Sequence, residues 1–238
     1  MLTEWLKSIF GIVDTYTAPR PQITVDESED EEQPVVITTK TRDYSIFSKN
    51  NVLPDSIFPY GPGYDITKFL ESKKSAILRV ETEDGEPMGE KLVSLMYDAC
   101  VKYDVNPKLL LVSLQREQSL ITGYNKAVKI PQRVLDRALG FGCTDSGDMP
   151  KYYGFETQVN NCVRIYRKWF DYGKTKLNQK FVVDDGRDIV MPEDQFTYAL
   201  YKYCPHIGWD QSPRNMGGTY GNCLTWQIWK IYFPEDMA

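Results

Sequence analysis

Apolar residues recur at helical spacing in six stretches of this chain, over 66–72, 89–103, 107–121, 154–172, 192–203 and 222–232. Leu92, Val93, Met96 and Cys100 form the stripe of the second, and Asn106-Pro107 opens the third with a capping side chain and a proline at the first helical position. Glu83-Asp-Gly-Glu86 reads as a turn. Residues 131–150 are punctuated by glycine and proline and read as irregular. The pattern predicts a mainly α (α+β) fold: a helical domain with a small irregular or β element after residue 130.

The first 45 residues read differently. Leu2, Trp5, Leu6, Ile9, Ile12 and Val13 give residues 2–16 one apolar face, and Thr17-Ala-Pro-Arg-Pro21 ends that pattern. Residues 26–32 hold six acids in seven positions, a self-repelling run that suits a solvated linker. Val35-Val-Ile-Thr-Thr39 reads as a strand or an extended peptide. Residues 1–45 are therefore expected to be an arm that tethers or docks, and residues 46–238 the domain that carries any chemistry.

Composition bounds the function classes. With 238 residues and 42% hydrophobic content the chain can bury one sizeable core. Its charge is uneven: 9 basic against 16 acidic residues over 1–88, 15 against 9 over 89–180, and 4 against 8 over 181–238. A basic middle suits a polyanion as well as it suits an ordinary mixed surface. No basic run or aromatic RNA motif accompanies it, so no nucleic-acid partner is expected. No apolar segment has membrane-spanning length, and Glu4 and Lys7 interrupt the N-terminus, which makes a poor signal peptide. The five cysteines include no C-x-x-C pair, so no zinc ribbon or thioredoxin-type site is expected; without a signal peptide reduced thiols are the default, and no metal or cofactor is expected.

The 107–121 stretch carries the most informative residue. At about 100° per residue, Leu110, Ser113, Leu114, Leu120 and Ile121 lie within about 60° of Glu117, whereas Lys108, Gln115 and Ser119 point away. A carboxyl on an apolar stripe is costly unless paired, hydrated in a cleft, or protonated. Desolvation favours the neutral form, and a neutral carboxyl is what a general acid needs. The helix alone leaves two readings open: a catalytic acid, or a buried Glu tied to an Arg or to backbone donors.

The stretch Val105-Asn-Pro-Lys-Leu-Leu-Leu-Val-Ser-Leu-Gln-Arg-Glu-Gln-Ser-Leu-Ile-Thr122 resembles the catalytic helix of a bacterial and phage family of lysozyme-like wall proteins, with its pattern N-P-x-x-L-L-V-x-L-Q-x-E-Q. The resemblance continues through Ala138-Leu-Gly-Phe-Gly-Cys-Thr-Asp-Ser-Gly147, Tyr152-Tyr-Gly-Phe-Glu-Thr-Gln-Val159, Ala199-Leu-Tyr-Lys-Tyr-Cys-Pro-His206 and Tyr220-Gly-Asn222. Upstream, Asn51-Val-Leu-Pro-Asp-Ser56 and Lys68-Phe-Leu-Glu-Ser-Lys73 also match, so it covers residues 50–238. More distantly the set is similar to goose-type lysozymes and soluble lytic transglycosylases.

The resemblance implies a lysozyme-like domain that cleaves the glycan strands of peptidoglycan, as a lytic transglycosylase or a muramidase, without a cofactor. It implies Glu117 as the acid, Gln118 and Ser119 shaping its surroundings, Gly140, Phe141 and Gly142 as cleft wall, and Tyr153 and Tyr201 near the scissile bond. The chain departs from the transglycosylases in having Gln-Ser after Glu117 where they have Ser directly, and in lacking their Leu-Met-Gln. Asp145 and Asp148 are candidates for a second carboxylate, with Asp136 and Glu156 behind them; in such a loop Asp is also an ordinary turn residue.

Other chemistries are less favoured. His206 is the sole histidine, and Cys204-Pro-His206 carries no papain-like signature, so His206 is expected to be a packed or surface loop residue. Trp226, Trp229 and Tyr232 are expected in the core rather than on a sugar platform. A wall enzyme without an export signal points to phage origin, either an endolysin or a component of a tail or injection device docked through residues 1–45. The competing class is a lysozyme-like virion or wall-binding protein without catalysis.

Overall fold

Asn106 starts the central helix: its side chain accepts from Lys108 N at 2.9 Å while its own amide donates to Ile57 O at 2.9 Å, and Pro107 fills the first position. That helix is one of seven α-helices, beside one hairpin, in the computed structural model, which describes residues 44, 46–127, 129–143, 147–208 and 220–237. The order is α1 (Ile66–Ser72), α2 (Gly89–Tyr103), α3 (Pro107–Gln118), α4 (Gln132–Asp136), α5 (Phe155–Gly173), β1 (Phe181–Val183), β2 (Asp188–Val190), α6 (Gln195–Tyr203) and α7 (Gly221–Tyr232). The fold is mainly α with a small antiparallel sheet, in register Phe181↔Val190, Val182↔Ile189 and Val183↔Asp188. Residues 2–16, the acidic run 26–32, the stretch 35–39 and Asp145 lie outside the described residues.

Helix α3 is buried well beyond its apolar stripe. From Leu109 to Leu114 every residue is buried, and the helix packs against α2, α5 and α7. It also stops at Gln118, three residues before the expected end. Ser119 takes a left-handed φ of 52°, its N–H returns to Gln115 O, and Leu120 N reaches Leu114 O at 3.2 Å. This is an αL ending, with Ser in the place usually held by Gly. Leu120 and Ile121 are fully buried after the chain has left the helix.

The remaining elements frame that helix. Asp194 caps α6 by accepting from Thr197 N at 2.6 Å, so the helix begins at Gln195, later than the predicted 192. Thr197 in turn accepts from Val52 N at 2.8 Å, fixing the segment before α1 to α6. Helix α5 lies between α2 and α6, with Phe58 stacked on Phe170 and Tyr166 on Tyr203. Trp229 of α7 is fully buried and donates to Asp236 Oδ2 at 3.0 Å, as a core residue should. The short α4 interrupts the stretch read as irregular. No helix among the described residues is long and apolar enough to cross a membrane.

Candidate active site

The last turn of α3 leaves the packed interior and delivers Glu117 to a partly open position, 28% exposed, beside an almost sealed Arg116, 5% exposed. Arg116 donates from Nε to Glu117 Oε1 at 3.0 Å, and its Nη2 donates to the same oxygen. The guanidinium is held from behind: Nη1 donates to Thr225 Oγ1 on α7 at 2.8 Å, and the Tyr203 ring of α6 lies 5.4 Å from Cζ. Burial by itself would lower the guanidinium's pKa, but Glu117 together with the neighbouring Tyr166, Cys204 and Tyr203 outweighs it, and the pKa stands well above the usual value. Glu117 is thus the paired carboxylate of the second reading, with one oxygen left over.

That oxygen faces the glycine segment. A Cβ built at Gly140, where φ is +68°, would sit 3.5 Å from Glu117 Oε2. Among the described residues the hydrogen bonds of Glu117 all end on Oε1. Glycine at 140 serves twice: it accepts the left-handed backbone, and it leaves the approach to Oε2 clear.

Gln158, fully buried on the apolar face of α5, holds the segment in place. Its Oε1 accepts from Leu139 N at 3.1 Å and Phe141 N at 3.0 Å, while Nε2 donates to Phe141 O at 2.8 Å and Tyr152 O at 2.7 Å. Tyr203 adds a bond from its hydroxyl to Leu139 O at 2.8 Å. Gly142, at φ +76°, is packed against the Tyr152 side chain so closely that a Cβ would overlap it. Phe141 is therefore buried structure beneath the segment, meeting Tyr152 edge-on at 5.1 Å, and the surface is left to Gly140.

Beyond the glycines lies a second polar cluster. Arg137 donates to Asp148 Oδ2 and, from Nη2, to Tyr153 Oη at 2.7 Å; Tyr153 donates to Asp148 Oδ2 at 3.2 Å. The bond from Arg137 holds the Asp148 carboxyl below the usual carboxylate range. The Cys143 thiol sits between this cluster and Glu117, and burial pushes it up to about 11, so it is no thiolate nucleophile near neutral pH.

The other expected site residues are spread more widely. Gln118 ends α3, and Ser119 is its exposed cap, shaping the turn through the backbone. Tyr201 is fully buried, its hydroxyl without a hydrogen-bond partner, and burial pushes its phenol up; it offers no surface to a ligand. Tyr203 and Cys204, two and three residues on, instead lie close enough to Arg116 and Glu117 to feel their charges. Burial raises the Cys204 thiol, and His206 Nδ1 is 3.2 Å from Asp184 Oδ1, a loop contact rather than a Cys–His pair. All five cysteines are free, and the described residues contain no group of three potential metal ligands.

Arg116, Arg137 and Gln158 are the members that residue patterns left unassigned. Gln158 had a signal: a polar residue at i+3 from Phe155 on the stripe that continues to Cys162. Arg116 had none, since its partner Thr225 is 109 residues away. No protein-family model matches the chain, and no curated protein or solved structure matches it significantly.

Proposed function

We propose that this chain cleaves the glycan strands of peptidoglycan, with Glu117 as the acid and then the base. The observation that carries this reading is the division of labour within one carboxyl group. Oε1 is occupied by two N–H donors of Arg116, and Oε2 is turned to the partly open space before Gly140. Because Oε1 already accepts two hydrogen bonds, a proton on Glu117 resides on Oε2, the oxygen able to meet a glycosidic oxygen. The resemblance of residues 50–238 to lysozyme-like wall proteins supplies the substrate class.

In the proposed reaction the Oε2 proton moves to the leaving glycosidic oxygen as the C1–O bond breaks. The Glu117 carboxylate then takes a proton from the attacking oxygen. If that oxygen belongs to water, the product has a reducing end; if it is the sugar's own hydroxyl, the product is an anhydro-sugar. Asp148, whose Oδ2 is bonded by Arg137 and Tyr153, is the candidate second carboxylate that the water route would use.

Glu117→Gln leaves the buried Arg116 guanidinium without its carboxylate and should lower stability; its folded fraction, measured by circular dichroism, should release no glycan fragments from purified peptidoglycan. Mass spectrometry of the wild-type digest then separates muramidase from transglycosylase by end group. Wild type without lysis on several wall types would overturn the reading.

One observation favours a second reading, a lysozyme-like wall-binding or virion protein without catalysis: the Arg116–Glu117 pair is complete without a ligand. Under that reading the wild type releases no fragments, and folded Glu117→Gln keeps wall binding unchanged. Residues 1–45 we read as the docking arm of a phage tail or injection device, the route that brings the chain to the wall. Deleting them should leave lysis intact and abolish particle incorporation; lost lysis overturns the tether.

A further inference from the structure

We infer that Arg116, anchored by Thr225, is the positioning residue that reserves Oε2 of Glu117 for proton transfer; the inference rests on the proposed glycan cleavage by Glu117. A flexible carboxyl at a helix end can present either oxygen to a substrate. Here one oxygen is taken twice by a single planar group, through Nε and Nη2. That fork cannot turn, because its third nitrogen is bonded to Thr225 Oγ1 and its face lies over Tyr203. Thr225 is itself fixed, being fully buried and donating to Gly221 O one helical turn earlier. The chain of restraint therefore runs from the first turns of α7, through Arg116, to the orientation of one oxygen on α3.

An ion pair that only held helices together would have no need of this asymmetry. The guanidinium sits among Tyr166, Tyr203 and Cys204, and its sole carboxylate partner among the described residues is Glu117. A Lys at 116 would keep the charge but lose the fork and the reach to Thr225 together. The consequence is kinetic: a misdirected Oε2 costs rate in the transition state and leaves the binding of intact substrate alone.

The test compares wild type, Glu117→Gln, Arg116→Lys, Arg116→Met, Thr225→Val and Thr225→Ser on soluble peptidoglycan fragments. Rates are normalised to the folded fraction from near-UV circular dichroism. Arg116→Lys should lower kcat about 100-fold with KM within about twofold, the scale of a misplacement near 1 Å. Thr225→Val should lower kcat about tenfold, and Thr225→Ser, which restores the hydroxyl, should recover most of that loss. If the Arg116 variants fail to fold, the Thr225 pair decides. Wild-type kcat in folded Arg116→Lys or in Thr225→Val, with Glu117→Gln inactive, overturns the positioning role alone. A folded wild type that releases no fragment overturns the proposed activity and this inference with it.

Discussion

Gln158 and Phe141 are bonded to each other twice: Phe141 N donates to Gln158 Oε1 at 3.0 Å, and Gln158 Nε2 donates to Phe141 O at 2.8 Å. The side-chain amide acts as a short surrogate strand, pairing with loop backbone as a neighbouring strand would. It spends its remaining capacity on Leu139 N and Tyr152 O. Replacing it by an apolar residue of similar size leaves several buried backbone groups without partners, each costing about 1–3 kcal/mol. Gln158→Leu is therefore expected to lose about 4 kcal/mol in urea unfolding, near the top of the range for single substitutions. A loss under about 1 kcal/mol would show that the loop has another support.

The two glycines of that loop separate stability from activity. Gly140→Ala accepts a left-handed backbone at a cost of about 1–2 kcal/mol, and its methyl group stands 3.5 Å from Glu117 Oε2. The variant should fold, melt slightly lower, and lose most lytic activity. Gly142→Ala meets the Tyr152 ring as well as a φ of +76°, so the strain of αL and the overlap add to about 3–4 kcal/mol. Paired thermal melts and lysis assays check this, and equal effects at both positions would contradict the assignment.

Asp148 gives the fold an acid-sensitive contact. Its carboxyl is held below the usual range by Arg137, so its contribution to stability is fully present above the unfolded-state pKa of about 4. It disappears as pH falls through the lower folded-state value. Urea midpoints of wild type between about pH 5 and pH 2 should therefore fall more steeply than those of Asp148→Asn, which carries no titrating group there. Parallel curves would mean that the pair with Arg137 contributes nothing in solution.

Lys108 ties the end of the chain to α3. Its ammonium is 2.9 Å from both Glu235 Oε1 and Asp236 Oδ1, and only 13% of its side chain is exposed. Asp236 also accepts from Trp229. Lys108→Met leaves Asp236 with the indole alone and should cost about 2 kcal/mol, read as a lower denaturation midpoint. The additional substitution Asp236→Asn should then cost less than it does in the wild type, as expected for coupled partners.

The sequence by itself determined most of the helices and singled out the residue on which the proposed chemistry turns. Caps and periods are local, so α1, α2 and α7 lie where the apolar spacing put them, and Asn106-Pro107 marked the start of α3. The end of α3 was missed because Leu120 and Ile121 satisfy the helical period equally well after an αL turn, and periodicity does not report a left-handed Ser119. Tyr201 and Tyr203 are likewise indistinguishable as letters; packing buries the first completely and stacks the second against Arg116. Glu117 was legible as a carboxyl that had to be paired, hydrated or protonated. That it is paired, by its own neighbour Arg116 and through one oxygen alone, depends on Thr225 and Gly140 arriving from distant parts of the chain. Such a choice is made by packing in three dimensions, where residues 109 positions apart in sequence come to 2.8 Å.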